Sequence, residues 1–266
     1  MARRLALITG ASAGIGAASA RIYASHGYDV VLTARRADRL EALAAEIKLR
    51  SGGEAYVVAT DLAEPAGVDT VLAAVAEQGR VVDALINNAG YGLPGTYAAT
   101  SWADQASFLQ VMLTSVCEMT HKVLPGMVER RFGRVTNVAS LAGLVPGAAG
   151  HTLYAATKGF LVKFSQSLHL ENLSTGVHVS ALCPGFTYSE FHDVNGTRAQ
   201  VSQGVPEWMW LGADEVAAAG YEAAEANRPI CVPGSPNKAI AAVAKVLPDD
   251  WALALMANQG GRFRKV

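Results

Sequence analysis

Residues 5–16 read Leu-Ala-Leu-Ile-Thr-Gly-Ala-Ser-Ala-Gly-Ile-Gly, an apolar run that ends in a glycine-rich segment. The run predicts a buried strand, and the stretch from Ile15 to His26 predicts the helix that follows it. Between them, Gly10, Gly14 and Gly16 leave the backbone free to approach a pyrophosphate, whose charge a helix N-terminus favours. By itself this G-x-x-x-G-x-G spacing could describe a plain turn. Its position directly after an N-terminal strand favours a dinucleotide site.

The rest of the chain alternates short apolar runs with alanine-rich segments of helical length. This alternation is typical of βαβ units. Runs that are apolar throughout suit a parallel sheet that helices cover on both faces, and we predict an α/β fold. The predicted strands are Leu5–Thr9, Asp29–Thr33, Ala55–Ala59, Ala84–Asn87, Arg134–Val138, Val177–Leu182 and Ile230–Val232.

Length and organisation indicate one domain. A chain of 266 residues, 51% of them hydrophobic, can bury a large core, and no linker or repeat divides it. We expect residues 1–100 to form mainly the cofactor-binding half, 101–233 the catalytic and substrate half, and 234–266 a C-terminal helical appendage. Two long helical segments, roughly 102–131 and 154–174, are candidates for subunit contacts.

Composition excludes several classes of function. The 22 basic and 23 acidic residues give a formal charge of −1, so no surface for nucleic acid is expected. The spacing of Cys117, Cys183 and Cys231 matches neither a disulfide framework nor a metal site, which predicts no metal and a reducing, cytoplasmic location. No apolar run approaches the length of a transmembrane helix, although peripheral contact of the C-terminal stretch with a membrane stays open.

The residues after the second predicted strand indicate which dinucleotide is bound. An NAD site normally presents Asp or Glu to the ribose hydroxyls here, whereas Ala34 is followed by Arg35 and Arg36. Because arginine can bind a phosphate through two parallel hydrogen bonds, we predict NADP(H) over NAD(H), with Arg35 as the main contact. The alternative is a solvated charge pair at the start of the next helix.

Polar residues follow three further strands at the edge where an open α/β sheet binds ligands. Asp61 and Leu62 come after the third strand, and Asn87-Asn88-Ala89-Gly90 ends the fourth. Ser140 closes the fifth strand, where its hydroxyl could hydrogen-bond a substrate carbonyl oxygen or could merely cap a turn.

Tyr154 and Lys158 lie one helical turn apart in Tyr-Ala-Ala-Thr-Lys. The i,i+4 spacing places both side chains on one helix face, where an ammonium group would favour the ionised phenol. We therefore expect Tyr154 to act as an acid/base group. Alone, such a pair usually lies on a solvated helix face without a catalytic role. The glycine-rich segment upstream favours the catalytic interpretation.

In sequence order, these motifs resemble those of the short-chain dehydrogenase/reductase family. The matching positions are Thr9 to Gly16, Asp61, Asn87 to Gly90, Ser140, Tyr154 with Lys158, and Pro184-Gly185. The resemblance implies a Rossmann-type, doubly wound parallel sheet of about seven strands. It also implies an NADP-preferring oxidoreductase with a C-terminal helical extension. The protein is expected to self-associate as a homodimer or homotetramer.

The resemblance assigns roles to single residues. Asp61 and Leu62 would contact the adenine, Asn88 to Gly90 would line the cofactor cleft, and Lys158 would hold the nicotinamide ribose hydroxyls. Pro184, Gly185 and the backbone near Thr187 would meet the carboxamide, with Ser189 where the family often has threonine. The residues expected to bind the cofactor are Gly10, Ser12, Gly14, Ile15, Gly16, Arg35, Arg36, Asp61, Leu62, Asn88, Ala89, Gly90, Tyr154, Lys158, Pro184, Gly185, Thr187 and Ser189.

The expected reaction is hydride transfer between the cofactor and a carbonyl carbon. Tyr154 would give its proton to the oxygen, Ser140 would polarise that oxygen, and Lys158 would keep Tyr154 titratable. One position departs from the family, since Met112 stands where an asparagine commonly relays protons. Methionine lacks a donor, so a low-turnover NADP(H)-binding regulatory protein remains the alternative, and Met112 could also simply pack the interior.

The irregular stretch 185–212 is the basis for predicting the substrate class. An insertion of this length is usually a lid or a disordered segment. An apolar lid over the nicotinamide would indicate an uncharged, hydrophobic ketone or aldehyde. Packing of the same aromatic side chains against the core is an equal alternative. The aromatic residues in question are Phe186, Tyr188, Phe191, Trp208 and Trp210. His151 and His192 are interpreted as surface residues.

Overall fold

A computed structural model describes residues 3–93, 95–150, 152–190, 205–254 and 257. Its centre is a parallel sheet of seven strands in the order β3-β2-β1-β4-β5-β6-β7. The strands are β1 (Leu5–Thr9), β2 (Asp29–Ala34), β3 (Ala55–Ala59), β4 (Ala84–Asn87), β5 (Gly133–Val138), β6 (Val177–Leu182) and β7 (Ile230–Cys231). The predicted strands are confirmed to within one residue at each end.

The strand order reverses direction at β1, which makes the sheet doubly wound. Ile8 of β1 pairs with Leu32 of β2 on one side and with Ile86 of β4 on the other. In such sheets the crevice beyond the carboxyl ends of the two central strands is the usual ligand site. The predicted α/β, Rossmann-type class is therefore confirmed.

Helices cover both faces of the sheet. They are α1 (Gly14–Ser25), α2 (Ala37–Ser51), α3 (Gly67–Glu77), α4 (Trp102–Leu109), α5 (Ser115–Glu129), α6 (Thr152–Glu171), α7 (Ala213–Glu225) and α8 (Ser235–Val246). Successive side chains of β1 point to opposite faces, so Ile8 packs with α1, α2 and α7 while Leu7 packs with α3, α5 and α6. Both layers are needed because β1 is buried along its whole length.

The predicted long helix from 102 to 131 is interrupted. A π-helical segment, Gln110–Thr114, separates α4 from α5, and Ser115 Oγ donates to the Val111 carbonyl oxygen at 2.8 Å. π-Helical turns are uncommon and occur often at functional sites. The predicted helix 154–174 corresponds to α6.

The C-terminal part is helical where the structure describes it. α8 follows β7, and residues 249–254 form a further helical stretch. Among the described residues, no helix combines the length and the apolar character that crossing a membrane requires.

Candidate active site

The glycine-rich segment turns sharply from β1 into α1. Gly10 and Gly14 have φ values of +66° and +54°, a left-handed conformation that side chains disfavour. α1 begins at Gly14 without a side-chain cap and without an acidic residue in its first turn, and Ser12 and Ile15 flank this point. Its first backbone N–H groups therefore suit an anion such as a pyrophosphate.

Gly16 and Asn88 bring the glycine-rich segment against the end of β4. A Cβ on Gly16 would lie 2.2 Å from the Gly10 carbonyl oxygen and 2.5 Å from Asn88 Nδ2. Asn88 Nδ2 donates to the carbonyl oxygens of Thr9 and Gly10 at 2.9 and 3.1 Å. Thr9 Oγ1 in turn accepts from the backbone N–H groups of Asn88 and Ala89. The two loops thus form one rigid floor for the crevice.

The two arginines after β2 differ in their surroundings. Arg36 Nη2 donates to Ser12 Oγ of the glycine-rich segment at 2.9 Å, and its Nη1 donates to Glu190 at 2.8 Å. Arg35 is more exposed, and its nearest ion-pair distance is 3.9 Å, to Asp61. Both lie at the carboxyl end of β2, and Arg36 is the one held against the glycine-rich segment.

Asp61 and Leu62 lie beyond the carboxyl end of β3. Asp61 Oδ1 accepts from the Ala63 backbone N–H at 2.9 Å, which orders the turn and leaves Oδ2 toward Arg35. The Leu62 side chain is buried in the core with Val68. Contact between Leu62 and an adenine would therefore come from its backbone.

Ser140 lies two residues after the end of β5 and next to Tyr154. Its hydroxyl accepts from the Ala142 N–H at 3.1 Å, so it also caps the short 3₁₀ turn Leu141–Gly143. Both interpretations of this serine are thus compatible, because a hydrogen bond from the Ser140 hydroxyl also acts on the Tyr154 phenol. The Leu141 N–H donates to the Pro184 carbonyl oxygen at 2.8 Å, joining this turn to the loop after β6.

Gly143 determines how close Ser140 comes to α6. A Cβ on Gly143 would lie 2.5 Å from the backbone carbonyl of Lys158 and 2.8 Å from the Gly159 nitrogen. The 3₁₀ turn therefore packs directly on the backbone of α6. Sequence reasoning missed this residue, because a glycine five residues after a strand has many ordinary explanations.

Lys158 is buried, and its Nζ donates to the Val138 carbonyl oxygen at 2.6 Å. Burial lowers the pKa of Lys158 to about 8, because the ammonium loses its water. Its Nζ lies 5.7 Å from the Tyr154 ring centroid. Tyr154 and Lys158 share one face of α6, as the spacing predicted.

The expected lowering of the Tyr154 pKa is absent from this structure. Burial raises the pKa of Tyr154, and the Ser140 hydrogen bond opposes that rise. The physical reason is that the Lys158 ammonium is directed to the Val138 carbonyl, so dehydration outweighs the charge effect on the phenol.

A buried amide chain connects four elements behind the site. Asn87 Nδ2 donates to Asn137 Oδ1 at 2.8 Å and to Thr120 Oγ1 at 3.1 Å, and Asn137 Nδ2 donates to Ser165 Oγ at 2.9 Å. These bonds tie β4, β5, α5 and α6 together. The four side chains are buried, so each bond replaces water that the groups have lost.

Met112 lies in the π-helical segment and packs the interior. It is 1% exposed, and its Sδ would lie 2.8 Å from a Cβ built on Gly90. The thioether therefore occupies the space beside the Asn88–Gly90 loop. This is the interior packing that the sequence left open, at the position where the family commonly has asparagine.

The loop after β6 lies over the glycine-rich segment. A Cβ on Gly14 would come within 2.8 Å of Ser189 Cβ. Thr187 Oγ1 donates to the Gly185 carbonyl oxygen at 3.1 Å, which orders the turn after Pro184.

Asn237 of α8 supports this loop from behind. A Cβ on Gly185 would lie 2.4 Å from Asn237 Oδ1. Asn237 Nδ2 donates to the Pro233 carbonyl oxygen at 2.9 Å, and the Asn237 side chain is 2% exposed. Sequence reasoning missed Asn237, since the proximity of residues 185 and 237 exists only in the folded chain.

The described aromatic side chains of the insertion pack on one another. Trp210 stacks on Tyr188 at 4.9 Å between ring centroids and lies 5.6 Å from Phe186. Thr187 pairs with Leu211 in a parallel bridge, which fixes these rings beside the loop after β6. Trp208 is exposed. Phe191, His192 and His151 lie outside the described residues.

Among the residues that the structure describes, no group of three or more His, Cys, Asp or Glu side chains could hold a metal ion. The three cysteines are free thiols.

Comparison with known proteins adds an independent observation. The family model described as short chain dehydrogenase matches residues 4–199. Sulfoacetaldehyde reductase from Chromohalobacter salexigens is 37% identical over 186 residues, which cover 69% of this chain and 72% of that protein.

Solved structures are similar over most of the chain. A short-chain dehydrogenase from Sphingobium yanoikuyae in complex with NADPH has a TM-score of 0.79 and 29% identity, covering 99% of this chain and 96% of that one. L-Sorbose reductase from Gluconobacter frateurii, complexed with NADPH and L-sorbose, has a TM-score of 0.76 and 27% identity, covering 87% and 94%.

Proposed function

The chain belongs to the short chain dehydrogenase family and is an NADP-dependent oxidoreductase acting on CH–OH and C=O groups, and we propose that Ser140, Tyr154 and Lys158 perform this reaction. One observation carries the proposal. The Ser140 hydroxyl hydrogen-bonds the Tyr154 phenol. The 3₁₀ turn that Ser140 caps packs on the backbone of Lys158. The residue that follows β5 and the two residues on one face of α6 are thereby held together at the carboxyl edge of the sheet.

In the reducing direction Tyr154 acts as the proton donor. The raised pKa of Tyr154 keeps the phenol protonated at neutral pH, which is the form that can give a proton to a carbonyl oxygen. Ser140 hydrogen-bonds the same oxygen and stabilises its developing negative charge. Lys158 holds its place through the Val138 carbonyl and supplies positive charge beside the phenol. The bound nicotinamide supplies the hydride chemistry.

The cofactor is NADP(H), and the proposed binding residues form a continuous surface. The uncapped start of α1 suits the pyrophosphate, since Gly10, Gly14 and Gly16 admit a close backbone approach. Arg35 and Arg36 are assigned to the 2′-phosphate. Asp61 with the Leu62 backbone is assigned to the adenine. The Asn88–Gly90 loop and the residues from Pro184 to Ser189 are assigned to the nicotinamide half.

The substrate is assigned as an uncharged ketone or aldehyde with apolar substituents. The cluster of Phe186, Tyr188 and Trp210 lies next to the loop after β6 and supports this assignment. Tyr188 is half exposed, so part of this aromatic cluster is accessible to an apolar substituent.

We assign the chain to the cytoplasm as a single domain spanning residues 1–266, and as a homodimer or homotetramer. Phe160 of α6 is 41% exposed and stacks on Phe164. Leu113 and Cys117 lie beside it in a surface depression between α5 and α6. An apolar helix face of this kind supports self-association.

A low-turnover NADP(H)-binding regulatory role is not favoured. This alternative was suggested by Met112, which replaces the asparagine common in the family. The Met112 side chain packs against the Asn88–Gly90 loop and leaves Ser140, Tyr154 and Lys158 in place.

The test is oxidation of NADPH and NADH against a panel of ketones, aldehydes and quinones. We expect NADPH oxidation that Tyr154→Phe reduces by about 10²- to 10⁴-fold, the usual contribution of a positioned proton donor. Tyr221→Phe on α7, far along the chain from the site, serves as the matched control. Full turnover in Tyr154→Phe would refute the assignment, and tight NADPH binding without turnover by the wild type would restore the regulatory alternative.

A further inference from the structure

Glu190 is an acidic side chain inside the region assigned to the cofactor phosphate. It directly follows Ser189, which packs on Gly14 of the glycine-rich segment. Its carboxylate accepts from Arg36 Nη1 at 2.8 Å through Oε2, and from Arg39 through Oε1. One carboxylate therefore pairs with two guanidinium groups at the start of α2 and offsets one of their two charges.

Arg36 connects this carboxylate to the glycine-rich segment. Its second terminal nitrogen donates to Ser12 Oγ at 2.9 Å. Arg36 and Arg39 thus direct hydrogen-bond donors at one anion, and Ser12 holds Arg36 by accepting from its other terminal nitrogen, at the carboxyl end of β2 where an NADP(H) site presents groups to the 2′-phosphate. The anion in that position is the protein's own Glu190.

We propose that the Glu190 carboxylate occupies an anion site formed by Arg36 and Arg39, and that the 2′-phosphate of NADP(H) must displace it. This inference rests on the proposed assignment of the 2′-phosphate to the arginines after β2. A phosphate carries more charge and more acceptor oxygens than a carboxylate, so it is the stronger partner for the guanidinium groups. Glu190 lowers the affinity for the phosphorylated cofactor and reduces discrimination against the unphosphorylated one.

The exchange also couples the two ends of the cofactor site. Glu190 is in the stretch 184–190 that follows β6, and its ion pairs tie this stretch to α2. Release of the carboxylate by a 2′-phosphate removes that tie, and by linkage any ligand that moves the loop changes affinity at the arginines.

The size of the effect follows from exposure. The side chains of Glu190, Arg36 and Arg39 are each between about one third and one half exposed, so water screens both pairs. An exposed pair of this kind changes an equilibrium by at most about fivefold. Removing the competing charge should therefore tighten binding of a 2′-phosphate by about fivefold.

The experiment measures the dissociation constants of 2′,5′-ADP, 5′-AMP, NADPH and NADH by titration calorimetry at fixed ionic strength. In Glu190→Gln we expect the dissociation constants of 2′,5′-ADP and NADPH to fall about fivefold, and those of 5′-AMP and NADH to change less than twofold. The matched control is Glu46→Gln, because Glu46 also pairs with two arginines, Arg21 and Arg50, and lies on α2 away from the glycine-rich segment.

A second variant tests whether Arg39 is the group that Glu190 withholds from the phosphate. Arg39→Gln placed in the Glu190→Gln background should return the 2′,5′-ADP affinity toward that of the wild type, since the freed guanidinium is the gained partner. Thermal unfolding without ligand should show similar small losses for Glu190→Gln and Glu46→Gln, which verifies that both fold.

Weaker or unchanged 2′,5′-ADP binding in folded Glu190→Gln would overturn the inference, as would a gain of equal size in Glu46→Gln. Wild-type binding that favours NADPH, together with carbonyl reduction, would then leave the proposed function intact. Wild-type binding with no preference for NADPH would remove the phosphate assignment and the inference together.

Discussion

Replacing Gly143 by alanine should separate Ser140 from its two partners while leaving the cofactor floor intact. The new Cβ would lie 2.5 Å from the carbonyl carbon and oxygen of Lys158. Cβ atoms do not approach backbone that closely, and α6 is held by its own hydrogen bonds. The 3₁₀ turn would therefore have to move away by roughly 1 Å, about the shortfall from normal van der Waals contact.

Two magnitudes follow from that displacement. Overpacking of a rigid contact costs about 1–3 kcal/mol of unfolding free energy. A displacement of about 1 Å between catalytic groups costs roughly 10²-fold in rate. The glycine-rich segment packs on Asn88 and Ala89 rather than on this turn, so NADPH affinity should fall much less than the rate.

The assay combines urea unfolding, NADPH titration and single-turnover reduction of a carbonyl compound. Gly147→Ala is the matched control, because a Cβ there would meet no atom within 4 Å and its φ is not left-handed. It should keep wild-type stability and rate. A Gly143→Ala protein with the wild-type turnover number would refute the claim that this close contact positions Ser140.

Three further substitutions test separate parts of the structure. Between about pH 8 and pH 10, Lys158 is neutral in the folded state and charged in the unfolded chain, so unfolding takes up a proton and its contribution to stability rises with pH by at most about 1.4 kcal/mol per unit. Lys158→Met should lack this rise in chemical unfolding measured across the same pH range, and an identical pH dependence in both proteins would contradict the lowered pKa. Met112→Asn should keep the fold, lose about 1–3 kcal/mol because an amide is buried, and raise turnover or shift its pH profile. Unchanged kinetics at every pH would show that position 112 plays no part in proton delivery. Asn137→Ala should cost about 2–3 kcal/mol in urea unfolding, since Asn87 and Ser165 each lose a buried partner, and a loss under about 0.5 kcal/mol would argue against the amide chain as a support.

Most strands were predictable because they are β-branched or apolar runs bounded by polar or glycine residues. β1 is apolar except for its last residue and is buried along its whole length, as its composition indicates, whereas β5 is equally buried although it contains Arg134, Thr136 and Asn137. The interruption of the 102–131 helix was not predictable, since Gln110–Thr114 contains no proline or glycine. The π-helical turn there follows from packing, with Met112 filling space beside Gly90.

The site shows the same division. The i,i+4 spacing correctly placed Tyr154 and Lys158 on one face of α6, because helix geometry is local. The direction of the Tyr154 pKa was wrong, because it depends on burial and on the Lys158 contact with Val138, which no spacing reveals. Glu190 and Asn237 went unnoticed because their partners are 154 and 52 residues away in the sequence.

The sequence by itself determined the α/β class, the family and the chemical identity of the candidate catalytic groups. These depend on local patterns, namely apolar runs, glycines at a strand-to-helix turn, and one helical spacing. Only the tertiary structure decided which groups meet. The contact of Gly143 with Lys158, the buried chain from Asn87 to Ser165, and the carboxylate of Glu190 between two arginines all join residues far apart in the chain. Such contacts arise when strands and helices pack, because packing brings together side chains whose separation along the sequence carries no sign of it.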